Sequence, residues 1–180
     1  MLDKLAMQRL AALEQFEAIL GLPPAPRYED AQRSFFILAS KNHNDVEISK
    51  ALSKAWSVIK SESPAERNER YIRIGQRLLD PKSGNNHDVA MPYLEVVESS
   101  SRDAPEPALH YWLGVLMTAA REYERAFPHL ERAVALRGND DDYQWIIINR
   151  VTSGRIAEAR TWAQKARLLN KRISIQMSYG

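Results

Sequence analysis

The 180-residue chain contains no cysteine, which excludes structural disulfides and thiolate-bound zinc and makes a reducing compartment, the cytoplasm, the default setting. Long hydrophobic runs are missing too. The opening segment MLDKLAMQRLAALEQFEAIL is interrupted by Asp3, Lys4, Arg9, Glu14 and Glu17, so it reads neither as a signal-peptide core nor as a membrane span. Glycine is sparse, and no phosphate-cradling glycine loop or G-x-S-x-G nucleophile turn occurs. The four histidines, His43, His87, His110 and His129, form no H-E-x-x-H pair and lack partners at metal-ligand spacing. His110 is expected at a hairpin interface and His129 is expected to face water. With no catalytic constellation, the chain reads as no enzyme and as needing no cofactor or metal. Acid is nearly absent from one end: residues 143–180 carry seven basic side chains against the single acid Glu158.

What is present is a repeat. AMPYLE (Ala90 to Glu95) returns as AFPHLE (Ala126 to Glu131). Upstream of each lies a large residue followed by a small one, Ile74-Gly75 and Leu113-Gly114, and the pattern extends to Leu38-Ala39 before Ala51 and Ile146-Ile147 before Ala159. Two helices that cross closely need a small residue at the crossing and a large one beside it. The second helix of each unit should bury one stripe, such as Ala126, Leu130, Ala133 and Val134, or Ala159, Ala163 and Ala166. A hairpin of this kind cannot hide its apolar face alone, so the units must stack. Pro92 and Pro128 are expected close to the starts of second helices, where a missing amide hydrogen removes no bond. Turns are expected near Asn42 to Asp45, Asp80 to Asp88, Ala120 to Glu122 and Thr152 to Gly154. The run Asn139 to Asp142 reads as a helix cap, and Trp56, Trp112, Trp145 and Trp162, spread along the helical units, read as packing residues.

The segment Ala108 to Leu136 resembles a tetratricopeptide repeat, with Leu113-Gly114, Tyr123, Ala126, Leu130 and Ala133 at that family's spacing. Gly154 to Leu169 is similar to the turn and second helix of another such unit, residues 68–103 to a longer-looped relative, and residues 32–65 only faintly. Ile147 and Arg150 depart from the family's pattern. The resemblance implies an all-α fold, a right-handed α-α superhelix of about four antiparallel hairpins (32–65, 68–103, 107–138 and 140–173) within one domain of residues 28–180. An amphipathic helix from Leu2 to Leu20 and the proline-rich connector Gly21 to Arg27 precede it, making about nine helices. The leading helix is expected to cap the first hairpin; filling the groove or forming a homodimer contact are the alternatives, in that order.

The first helices of such stacked hairpins line a concave face. Register from the small anchor residues assigns Phe36, Ile72, Gln76, Tyr111, Val115, Thr118, Gln144 and Ile148 to it. That surface is more apolar than charged, which suits an apolar peptide segment of another protein, and an adaptor or chaperone is the leading functional expectation. The alternative is an acidic partner or nucleic acid bound through Arg150, Arg155, Arg160, Lys165, Arg167 and Arg172. No membrane partner is expected.

Overall fold

A computed structural model describes residues 3–84, 86–101 and 104–173. Among these residues all regular structure is helical: α1 (Lys4–Ala12), α2 (Phe16–Ile19), α3 (Tyr28–Lys41), α4 (Val46–Ser61), α5 (Pro64–Leu78), a short 3-10 turn (Pro81–Ser83), α6 (His87–Ser101), α7 (Pro107–Ala119), α8 (Tyr123–Leu136), α9 (Asp140–Thr152) and α10 (Ile156–Leu168). Helix starts carry the expected chemistry. Asp45 caps α4, Pro64 and Pro107 stand in the first turns of α5 and α7, and reciprocal boxes join Ser63 to Glu66 and Asn139 to Asp142. The capping role of the acidic run before α9 is therefore as read from sequence. So are three of the four turn positions; the fourth, at 80–88, includes residue 85, which lies outside the described residues.

The chain divides into two compact units, residues 1–96 and 97–180. In the first, α1, α2 and α3 all pack on α4 around Met7, Phe16, Ile19, Leu20, Ala31, Leu52 and Ala55. The leading segment thus packs on the second helix of the first hairpin. It is, however, two helices and not one, which makes ten α-helices in place of nine among the described residues. The break is a left-handed helix-ending turn: Glu14 adopts φ 60°, and the Gln15 amide donates back to Leu10 O at 2.9 Å. Three arginines of α5 hold it. Arg70 Nη1 donates to Glu14 O at 2.9 Å, Arg73 Nε to the Glu14 carboxylate at 3.0 Å, and Arg77 Nη1 to Ala12 O at 2.9 Å. Burial works against the Glu14 charge, but the hydrogen bond from Arg73 and the charges of Arg73, Arg77 and Arg70 outweigh it and hold the carboxyl below its usual range.

Beneath that turn lies a buried charge cluster. Arg70 donates to Glu17 at 2.6 and 3.0 Å and to Glu62 at 2.7 and 2.8 Å, and the Tyr71 hydroxyl donates to Glu17 at 2.6 Å while accepting the Ala25 amide at 2.8 Å. Burial alone would weaken Arg70 as a base, yet its bonds to Glu62 and Glu17 raise its pKa and keep it charged.

In the second unit α7 packs on α8, α8 on α9 and α9 on α10, with α7 also meeting α9. Leu113, Ala126, Leu130, Ala133 and Ile146 are fully buried, as the repeat register requires. Gly114 is the crossing point: a Cβ there would lie 2.6 Å from Leu130 Cγ. The turns after α7 and α9 are the same device. Arg121 and Gly154 take φ 65° and 77°, and the following amides, Glu122 and Arg155, both donate at 2.8 Å to the carbonyls of Met117 and Arg150. The prolines sit deeper than expected. Pro92 and Pro128 are each the sixth residue of their helix, beyond the first turn, so each helix forgoes one intrahelical amide bond.

Candidate peptide-binding face

The expected groove residues fall on α3, α5, α7 and α9. In the first unit Phe36 is exposed at 59%, Ile72 is buried and Gln76 half-buried. In the second, Val115 and Thr118 are buried, whereas Tyr111, Gln144 and Ile148 are partly exposed. Ile72, Val115 and Thr118 are therefore not open surface, which corrects the sequence register at those three positions. For Thr118 the reason is polar: its hydroxyl donates to Gly114 O at 2.8 Å and accepts from Asn149 Nδ2 at 2.9 Å, tying α7 to α9.

What α7 and α9 present is an aromatic ledge. The Tyr111 ring meets Trp112 edge-on at 5.1 Å between centroids, and the Arg137 guanidinium lies 5.2 Å from the Tyr111 ring centre. Arg137 is itself fixed by the buried Asp142, at 2.5 and 3.1 Å. Burial, with the nearby Asp141 and Asp142, raises the Tyr111 pKa, so the phenol stays protonated. Trp112 is 38% exposed. The other tryptophans pack as expected: Trp56 stacks on Phe35, and Trp145 and Trp162 join the core around Ile146 and Ala159. Sequence register missed Trp112 and Arg137. The only available signal was the adjacency of Tyr111 and Trp112, since Arg137 reaches the site from the end of α8.

The basic set divides sharply. Arg150 does not belong to the surface: it is 1% exposed, its guanidinium lies 3.8 Å from the Phe127 ring centre, and it donates to Tyr123 O, Asn149 and Glu158. A charge at that position is tolerated because the start of α8 and the side chains of α9 and α10 satisfy it. Arg155 is exposed but paired with Glu124 and Glu158. Lys165 lies against Trp162, and Arg160, Arg167 and Arg172 form no ion pair among the described residues.

His110 lies at the α7–α8 interface, as expected, but His129 does not face water. The two Nδ1 atoms are 3.1 Å apart, and His110 Nε2 lies 2.9 Å from Ala104 O. A carbonyl only accepts, so His110 carries its proton on Nε2 and offers a bare Nδ1 to which His129 Nδ1–H donates. His129 Nε2 is then unprotonated, 3.9 Å from Glu98 Oε1. Burial, then the His110 neighbour, push His129 down to about 4, with Glu98 opposing and Arg125 reinforcing the shift. Among the described residues no three histidine or carboxylate side chains gather as metal ligands, and no helix is long and apolar enough to cross a membrane.

No family model, no curated protein and no solved structure matches the chain.

Proposed function

We propose that the chain is a tetratricopeptide-like protein-interaction module, an adaptor or chaperone, that holds an apolar peptide segment against the face formed by Tyr111, Trp112, Gln144 and Ile148. The reading includes the right-handed α-α superhelix that the sequence resemblance implies. It is supported by the close Gly114–Leu130 approach, by the matching turns after α7 and α9, and above all by the aromatic ledge. Aromatic rings give a large contact area with little side-chain entropy to lose, and a ledge held by Arg137, itself fixed by Asp142, is preorganised.

The test is a screen of apolar peptides against the full chain, followed by titration of the strongest binder. Binding should be nearly unchanged up to about 0.5 M salt, because apolar burial is not screened. Tyr111→Glu with Ile148→Glu should abolish it at unchanged helical content. Both positions are partly exposed, so the charges can be accommodated; a Val115→Glu change would unfold the hairpin instead. Binding that survives the double change would remove the ledge from consideration.

A further inference from the structure

We infer that the outer side of α10 is a second docking surface, built for an acidic amphipathic helix of another protein and independent of the aromatic ledge. Only Ala159 and Ala166 of α10 are buried. Ile156, Arg160, Ala163 and Arg167 follow one another at helical spacing along one side of the exposed surface. At its end Ala163, Arg167, Asn170, Lys171 and Ile173 line a shallow hollow of about 400 Å³. Ile156 is 45%, Leu169 52% and Leu168 76% exposed. Ile156 and Ala163 therefore alternate with Arg160 and Arg167 along one side of α10, while Leu168 and Leu169 lie off that line.

Charge determines the occupant. The single acid of α10, Glu158, is engaged by Arg150 and Arg155, while Arg160 and Arg167 have no carboxylate partner among the described residues. Residues 174–180 contain no acidic side chain to answer them. A partner helix with carboxylates beside leucine-type residues would meet both the apolar and the cationic side chains of that line. Nucleic acid fits less well, because it would leave the aliphatics uncovered, and α10 offers no free ring for stacking: Trp162 is held by Phe127 and Tyr143 and covered by Lys165. A lipid surface fits less well too, since Ile156 and Ala163 alternate with Arg160 and Arg167 and do not segregate from them.

The experiment measures binding of four labelled probes to the full chain: a helical peptide of about 18 residues with leucines on one face and glutamates beside them, the same composition scrambled, a single-stranded oligonucleotide, and vesicles of mixed phosphatidylserine and phosphatidylcholine. The segregated peptide should bind best and weaken as salt rises, and Arg160→Glu with Arg167→Glu should reduce its affinity by about tenfold or more. These exposed substitutions should leave helical content unchanged, which circular dichroism checks, and Tyr111→Glu should leave this binding intact. Equal binding of the scrambled peptide, preference for oligonucleotide or vesicle, self-association through Arg160 and Arg167, or indifference to the double reversal would each overturn the inference.

Discussion

At the scale of single residues, the informative ones are polar groups held where water is scarce. His129 is the clearest. In the unfolded chain it titrates near 6.5, whereas in the fold it is pushed down to about 4. Above the unfolded value neither state carries the proton. As pH falls the unfolded chain takes it up first, so the contribution is present above about pH 6.5, declines below it and is exhausted as the folded group titrates near 4. Allowing for its partial contact with solvent, the loss is on the order of 2 kcal/mol. Urea unfolding of wild type and His129→Gln at about pH 7 and about pH 4.5 checks this, since a glutamine cannot titrate. The wild type should lose more stability between the two than the variant. Equal losses would mean that His129 titrates alike in the folded and the unfolded chain. One signal in the sequence was overlooked: His129 stands three residues after Ala126 and four before Ala133, at the edge of the buried stripe, while its partner His110 lies 19 positions away on the preceding helix.

At the scale of helices, a crossing and a break show what local sequence can and cannot reveal. The Leu113-Gly114 pair announced the α7–α8 crossing because a close approach needs a small residue there, and no other chemistry meets that need as well. The break between α1 and α2 was silent, because Leu13, Glu14 and Gln15 are ordinary helix formers. What bends the chain there is a set of arginines more than fifty residues downstream, an interaction that periodicity cannot register. Arg70 should therefore be critical. Replacing it with methionine leaves Glu17, which is 1% exposed, facing Glu62 without a counter-charge, and the expected destabilisation is about 3 to 5 kcal/mol. Adding Glu17→Gln should recover a substantial part of it, because the uncompensated buried charge is then removed. Chemical denaturation of the two variants measures both effects; a loss below about 1 kcal/mol for Arg70→Met would show that the cluster is not an essential clamp.

At the scale of the whole chain, the repeat was most legible where its anchors are fully buried. Ile74, Leu113 and Ile146 are each 0% exposed, whereas Leu38 of the faint first unit is only half-buried. The same comparison explains why the candidate face was read only in part: helical register gives the direction of a side chain but not whether a neighbouring helix closes over it, as happens at Val115 and Thr118. Burial also orders local stability within residues 97–180. Each helix there leans mainly on its neighbours in sequence, so local stability should follow what each helix buries against them. α7 contributes Leu113, Gly114, Val115, Leu116, Met117 and Thr118 to the interior, and α8 contributes Ala126, Leu130, Ala133 and Val134. α10 contributes only two alanines, and a buried alanine offers far less apolar area than a leucine. Its hydrogen bonds should accordingly open at the lowest free energy of the four. In hydrogen–deuterium exchange of the full chain, amides of α10 should exchange first, those of α9 next, and those of α7 and α8 last. Bound acidic peptide should slow exchange in α10, whereas an apolar peptide on the ledge should slow α7 and α9. Uniform protection across all four helices would show that they open as one cooperative block.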